Sequence, residues 1–136
     1  MKVISLLQPW ASLVVKGAKK IETRSWATPY RGTLLIHASL SKKALWLADS
    51  PPFNSYLDGP DKLLHGYIIG QVTLTSIIRM EDFDLDPAKI ELLTLEERAF
   101  GDYGKGRFGW ILEDPEEYDV PIFCRGHLRL WEYNGV

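Results

Sequence analysis

The sequence predicts an α+β fold, a small mixed β-barrel of about six strands with two or three short helices packed on it. Short segments rich in β-branched and aromatic residues recur along the chain and are separated by glycine and proline. These segments do not alternate with helices as repeated βαβ units would. The 136-residue chain has no internal repeat or low-complexity tail, so residues 1–136 are expected to form a single domain.

The first segments predict a strand followed by a short helix. The run "KVISLL" is apolar and β-rich, and Pro9 suits the first turn of a helix because its missing N–H needs no partner there. Trp10, Leu13 and Val14 recur at helical spacing and form one apolar face. Gly17 is expected to end the helix, because glycine accepts the left-handed conformation that often follows one.

The next two segments, "KKIETR" and "GTLLIHAS", predict strands. In the first of them, alternation places Ile21 and Thr23 on one face and Lys20, Glu22 and Arg24 on the other. The densest charge cluster of the chain therefore lies between two pieces of the predicted core.

The middle of the chain predicts a helix, a loop and a long strand. Residues 41–49 resemble a helix with Ser41 as its N-cap. Residues 50–64 contain three prolines and a glycine, which favours an ordered surface loop. The strand "GYIIGQVTLTSII" follows, with Gly70 marking a bulge or a close backbone approach.

The last third begins with the acidic connection "MEDFDLDPAK". Thr94 and Glu97 match a T-x-x-E capping box for a helix that runs to about Phe100. A glycine-rich turn then leads into a strand near "RFGWIL", and "YDVPIFCR" and "HLRLWEY" predict two more strands with Gly126 between them.

Composition excludes several classes of function. The net charge of −2 argues against indiscriminate binding to polyanions, so a nucleic acid must meet a local basic patch. Cys124 is the only cysteine, and the three histidines are far apart, so neither a disulfide nor a metal site is expected, and no cofactor is implied. No apolar run approaches the roughly 18 residues of a membrane span and no signal-peptide pattern is present, which favours a cytoplasmic protein without a membrane partner.

The stretch "SLLQPWASLVVKGAKKIETRSW", followed by "YRGTLLIHAS", resembles the ASCH domain of the PUA-like superfamily. The matching pattern is G-x-K-x-x-E-x-R, formed by Gly17, Lys19, Glu22 and Arg24. The later "GRFGW" and "GHLRLW" resemble the closing strands of that family, so the resemblance covers about residues 3–132. It implies a PUA-like β-barrel with a cleft between the first helix and the barrel, lined by the charged motif.

The resemblance also implies the kinds of ligand. Family members are similar to RNA-binding modules and are generally thought to bind RNA or nucleotides. One ASCH-type group is an amidohydrolase that removes the acetyl group from N4-acetylcytidine, ribonuclease activity has been proposed for others, and eukaryotic transcription coactivators carry an ASCH domain. The expected ligand is therefore RNA, a nucleotide or a modified nucleoside. The alternatives are a hydrolase and a domain that binds a partner in transcription or RNA processing.

The charge cluster at residues 17–26 is either a solvated surface or a binding site. The site is favoured because arginine beside aromatic surface binds phosphates and bases, and because the cluster adjoins the core. For His37 a structural role, for Arg31 a surface salt bridge, and for Tyr103 a place in the core remain alternatives to ligand contact. The expected ligand-binding residues are Trp10, Lys19, Glu22, Arg24, Trp26, Arg31, His37, Ser39, Tyr103 and Arg107.

Lys19 and Glu22 would be the catalytic residues only if the protein is an enzyme. In the amidohydrolase group the matching lysine acts with a threonine and a distant glutamate, and Glu22 stands where the threonine would be. A lysine acts as a general base only after losing its proton, and a neighbouring carboxylate stabilises the ammonium instead. Glu96 and Glu97 could supply the distant carboxylate, although the capping box already explains Glu97. We therefore expect a Lys19–Glu22 ion pair that orders the cleft and presents Arg24.

Overall fold

In a computed structural model, which describes residues 1–135, six strands form one mixed sheet. The strands are β1 (Lys2–Leu6), β2 (Ile21–Arg24), β3 (Gly32–Ala38), β4 (Tyr67–Arg79), β5 (Phe108–Phe123) and β6 (Leu130–Glu132). Their order is β2-β5-β4-β3-β1-β6, and only the pairing of β1 with β3 is parallel among the described strands. The sheet curls into a half-barrel with β2 and β6 at its edges, which confirms the predicted α+β fold and strand number.

Within residues 1–135, three short helices and four 3₁₀ turns connect the strands. The helices are α1 (Trp10–Val15), α2 (Pro87–Ile90) and α3 (Leu95–Ala99), and the 3₁₀ turns are Leu45–Asp49, Phe53–Ser55, Pro60–Lys62 and Met80–Leu85. The predicted surface loop at 50–64 is therefore built largely of tight turns. Among the described residues, every helix is too short or too polar to cross a lipid bilayer.

Helix α1 packs its apolar side on the concave sheet. Val14 and Val15 are buried in the main core together with Ile36 of β3. Gly17 ends the helix at φ +79°, and its N–H donates to the carbonyl of Val14, as the sequence predicts. The predicted close approach at Gly70 is also confirmed, because a Cβ there would lie 2.7 Å from Val15 Cγ1 and the sheet register shifts at this residue.

The predicted helix over residues 41–49 is wrong. Only the 3₁₀ turn at Leu45–Asp49 forms, and Ser41 is not its cap, because the turn begins after Ala44. A longer helix cannot follow, since Ser50 is already extended at φ −105° and ψ 143°. That conformation is the one that a residue preceding proline prefers.

The strand predictions near the C-terminal end also need correction. The segments "RFGWIL" and "YDVPIFCR" are one strand, β5, and both ends of it pair with β4. Asp114 at φ +51° and three register shifts accommodate residues that resemble a turn. The predicted strand "HLRLWEY" is only Leu130–Glu132, because Arg129 adopts a left-handed φ of +57° that interrupts extended backbone.

Candidate functional site

A cleft of about 270 Å³ lies between the start of α1, strand β2 and the segment that leads from α3 into β5. Its walls bring together five of the ten residues predicted to bind a ligand. These are Trp10, Lys19, Glu22, Arg24 and Arg107, and they are joined by Leu7, Thr23, Gly101 and Asp102. The cleft therefore lies where the charged motif predicts it.

The ammonium group of Lys19 lies inside the protein rather than at the surface. The residue is only 2% exposed, and its Nζ donates to the carbonyl of Ile21 and to the hydroxyl of Tyr103 at 2.8 Å. Two carboxylates flank it, with Glu22 Oε1 at 3.7 Å and Glu97 Oε2 at 3.6 Å. The predicted Lys19–Glu22 ion pair is confirmed, and a second carboxylate completes it.

The side chain of Glu97 does not have the role that the capping-box pattern predicts. Thr94 Oγ1 does accept a hydrogen bond from the Glu97 N–H at 3.0 Å, so the helix cap itself is confirmed. The Glu97 carboxylate does not complete the box, however. It is 4% exposed and accepts from the Lys20 N–H at 2.7 Å and from the Tyr103 hydroxyl at 2.5 Å. The buried carboxylate thus joins α3 to the start of β2.

Tyr103 supports Lys19 from below the cleft and does not line it. Its ring centroid lies 5.0 Å from Lys19 Nζ, and its hydroxyl accepts from that ammonium while donating to Glu97. Burial, followed by the negative charges of Glu97 and Glu22, raises the pKa of Tyr103 far above its ordinary value. The phenol therefore stays protonated and acts as a hydrogen-bond donor.

Arg24 stands at the rim of the cleft. Its Nη2 donates to the carbonyl of Ser5 at 3.2 Å and lies 3.4 Å from Glu22 Oε2. Its Nε is buried and has no hydrogen-bond partner among the described residues. Because Glu22 also contacts Lys19, one carboxylate links the buried ammonium to the guanidinium at the rim.

On the opposite wall, the backbone and hydroxyl of Thr23 hold Arg107. The guanidinium donates from Nη2 to the Thr23 carbonyl at 2.9 Å and from Nε to Thr23 Oγ1 at 3.2 Å, and Asp102 lies 3.8 Å away. The Thr23 hydroxyl in turn donates to the carbonyl of Asp102 at 2.6 Å. Strand alternation assigns Thr23 to the face away from Glu22, yet it borders the same cleft.

Two predicted residues, Trp26 and Arg31, do not border the cleft. Trp26 packs edge-on against Trp110 of β5, with ring centroids 4.9 Å apart. The Arg31 guanidinium donates to the carbonyls of Thr28 and Tyr30, each at 2.7 Å, and so serves its own turn.

His37 and Ser39 lie in a second cavity beside the cleft. This basic groove, of about 450 Å³, is formed by the ends of β1 and β3 and by the segment between β5 and β6. Its charged or titratable residues are Arg24, His37, Arg125, His127 and Arg129. The sequence offers little signal for the last three, because "RGHLR" resembles the start of a strand.

His37 forms part of the groove wall through a fully bonded ring. Its Nε2 donates to the carbonyl of Cys124 at 2.7 Å, so Nδ1 accepts from Ser5 Oγ at 3.0 Å, and that oxygen accepts from Trp131 Nε1 at 3.2 Å. Burial, and to a smaller extent His127, lowers the pKa of His37, although the bond to Cys124 opposes this. These contacts give the neutral imidazole a structural role.

The polar side chains of this site form hydrogen bonds and ion pairs with one another. Within residues 1–135, no three His, Cys, Asp or Glu side chains are placed to hold a metal ion. The carboxylates of Glu22 and Glu97 are instead occupied by Lys19 and its neighbours.

The structure is thus a small α+β domain with a charged cleft beside a curled six-stranded sheet. The family model "ASCH domain" matches residues 4–122. The chain therefore belongs to the ASCH domain family, which is associated with RNA binding.

Known proteins of similar sequence and structure agree with this membership. "Activating signal cointegrator 1" of Homo sapiens is 29% identical over 144 aligned positions, and that of Mus musculus is 28% identical over 147. Each match includes 97% of this chain but 22% of the relative, so the chain spans about a fifth of the length of these curated relatives.

The crystal structure of ASCH from Zymomonas mobilis matches with a TM-score of 0.58 at 16% identity, covering 98% of this chain and 87% of that one. A mutant of the same protein matches with a TM-score of 0.57 at 18% identity, covering 98% and 88%. At such identities the likeness concerns the fold.

Proposed function

We propose that the cleft binds a nucleotide, a modified nucleoside or one nucleotide of a single-stranded RNA. The observation that carries this proposal is the meeting of guanidinium, carboxylate and indole groups in one small cleft. Arg24 and Arg107 would bind phosphate oxygens or base edges, while Glu22 and Asp102 would accept hydrogen bonds from exocyclic amino groups. Trp10 would supply flat apolar surface for stacking.

The dimensions of the cleft favour one base over a folded RNA surface. Its volume of about 270 Å³ is close to the lower end of the range, about 300 to 1,000 Å³, that small-molecule sites occupy. Trp10 is fixed in place because its Nε1 donates to the carbonyl of Phe100 and its ring packs edge-on against Phe53, 6.3 Å away. A preorganised wall of this kind lowers the entropic cost of binding.

Binding is favoured over hydrolysis because the groups that could catalyse are already engaged. The Lys19 ammonium donates to a carbonyl and to a phenol and lies 3.7 and 3.6 Å from two carboxylates, so its hydrogen-bonding capacity is already used inside the protein. The Thr23 hydroxyl donates to Asp102 and accepts from Arg107, which leaves it poorly placed as a nucleophile. In this proposal Lys19 orders the cleft and Glu22 presents Arg24.

A hydrolase of the N4-acetylcytidine amidohydrolase type, or a metal-independent ribonuclease, is the second candidate. The contact between Lys19 and Glu97 favours it, since a lysine beside a distant glutamate is the pairing that the resemblance implies for the amidohydrolases. The purified protein would be incubated with N4-acetylcytidine and with labelled RNA. Release of cytidine or of shorter RNA by the parent protein, lost in a Lys19→Met variant that is still folded under the assay conditions, would establish hydrolysis and displace the binding proposal.

The binding proposal is tested by titrating nucleoside monophosphates, N4-acetylcytidine and short single-stranded RNA against the protein, with affinity measured by calorimetry. Arg24→Ala and Arg107→Ala should each weaken binding about 10- to 100-fold, the equivalent of losing a charged hydrogen bond worth about 1.5 to 3 kcal/mol. The matched control is Arg31→Ala, which removes the same charge from a residue that borders neither cavity. Parent-like affinity in both cleft variants would eliminate the cleft as the site.

A further inference from the structure

We infer that the basic groove holds the phosphodiester backbone of a single-stranded nucleic acid whose adjoining nucleotide enters the cleft. The inference rests on the proposed function, because it extends the ligand of the cleft from a single nucleotide to a strand. It assigns the backbone contacts to Arg24, Arg125 and Arg129, of which only Arg24 belongs to the charged motif.

The two cavities differ in the charges that they offer. The described residues that line the groove include three arginines and two histidines but no Asp or Glu, although the whole chain carries a net charge of −2. The cleft, in contrast, includes the carboxylates of Glu22 and Asp102. Carboxylates repel phosphate but accept hydrogen bonds from bases, so the groove suits a backbone and the cleft suits a base.

The groove and the cleft are neighbouring cavities that share part of their walls. Leu7 and Arg24 border both cavities, and the Arg24 guanidinium is therefore placed between them. Its buried Nε has no hydrogen-bond partner among the described residues, while Nη2 is fixed by Ser5 and Glu22. A phosphate at this junction would connect a nucleotide in the cleft to the next one in the groove.

The arginines of the segment between β5 and β6 are not neutralised by a carboxylate within residues 1–135, and one of them, Arg129, is held in position. The Arg129 guanidinium lies 4.9 Å from the Trp26 ring centroid, a cation–π contact that holds the charge in place without consuming it. Arg129 also adopts a left-handed φ of +57°, a backbone conformation that costs free energy for any residue with a Cβ. Neither Arg125 nor Arg129 forms a salt bridge within residues 1–135.

Salt dependence gives the inference a quantitative form. For single strands the slope of log affinity against log salt is about −0.7 per phosphate neutralised, so three arginine contacts predict a slope of about −2. Affinity for an oligonucleotide should then fall about 20-fold between 50 and 200 mM salt. With Arg125 and Arg129 removed, one arginine–phosphate contact remains, and affinity should fall only about 3-fold over the same salt range.

The experiment compares the binding of a single-stranded 10-mer and of a nucleoside monophosphate by three versions of the 136-residue chain. These are the parent, the groove variant Arg125→Ala/Arg129→Ala, and the control Arg31→Ala/Arg98→Ala, whose net charge equals that of the groove variant. We expect the parent and the control to bind the 10-mer at least 10-fold more tightly than the monophosphate. The groove variant should lose that advantage and the steep salt slope, while its affinity for the monophosphate stays unchanged. RNA and DNA 10-mers of one sequence identify the preferred strand, and tight binding of either supports the inference.

Three results would overturn the inference: a 10-mer that binds no better than the monophosphate, a groove variant that keeps the parental salt slope, or a polyglutamate peptide that competes as well as the 10-mer. Failure of the cleft proposal would differ from each of these. In that case the monophosphate would not bind and Arg107→Ala would leave 10-mer affinity intact, while the groove variant still lost it.

Discussion

Replacing Lys19 with methionine tests whether the buried ammonium holds the cleft together. The side chain keeps most of its length, but Glu22 and Glu97 lose the positive charge that lies 3.7 and 3.6 Å from them. Removing one partner of a buried ion pair costs about 3 to 5 kcal/mol, because the remaining charge is left uncompensated. With a urea m-value of about 2 kcal/mol/M, the unfolding midpoint should fall by about 1.5 to 2.5 M.

The matched control for Lys19→Met is Asp102→Asn, which also removes a charge from the cleft but leaves no buried charge without its partner. Asp102 lies 3.8 Å from Arg107 with its side chain 72% exposed, so Asp102→Asn should cost no more than about 1 kcal/mol. Adding Glu97→Gln to Lys19→Met should recover part of the loss, since it removes one of the two uncompensated carboxylates. If Lys19→Met unfolds at the same urea concentration as Asp102→Asn, Lys19 does not stabilise the fold as a buried ion and a catalytic role for it is again open.

Two further predictions concern the sheet and the groove wall. Gly70→Ala should destabilise the protein by about 1 to 3 kcal/mol or more, because the new Cβ would overlap the backbone carbonyl of Glu116 and the side chain of Val15. Gly101→Ala makes only ordinary contacts and should be nearly neutral in urea unfolding. His37 has a pKa lowered from 6.5, so the unfolded chain binds more protons below that pH, and the free energy of unfolding should decline as pH falls from 7.5 to 5.5. His37→Gln should reduce that slope, and an unchanged slope in this variant would contradict the buried neutral imidazole.

The parts of the site that the sequence predicts are those encoded by neighbouring residues. Lys19, Glu22 and Arg24 lie within six positions, so a helix end followed by a short strand is enough to bring them to one cleft. The Lys19–Glu22 contact needs no knowledge of the rest of the chain. Arg107 is more distant, and it reaches the cleft because β5 pairs with β2.

Glu97 could not be assigned because two physical roles share one sequence pattern. T-x-x-E predicts a capping box, and the threonine does cap α3, but the carboxylate has a stronger set of partners in the Lys20 N–H and the Tyr103 hydroxyl. Choosing between the roles requires knowing that Glu97 comes close to Lys20 and Tyr103 in the folded chain, and its contact with Lys20 is long-range in sequence. Similarly, the Arg129 turn breaks a segment whose composition favours a strand, and only then do its arginines face the groove.

The placement of a dense charge cluster between two pieces of the core follows from the different depths of its members. Lys19 is buried, Glu22 is partly buried, and Arg24 is the most exposed of the three, so the motif extends from the interior to the rim. Glu22 contacts both cations, which means that it cannot be replaced by a neutral residue without loosening the guanidinium that the two cavities share. A threonine at that position would free a hydroxyl for chemistry but would lose this link. Glu22 therefore favours a site that binds a nucleic-acid strand where the two cavities meet over a site that hydrolyses the strand.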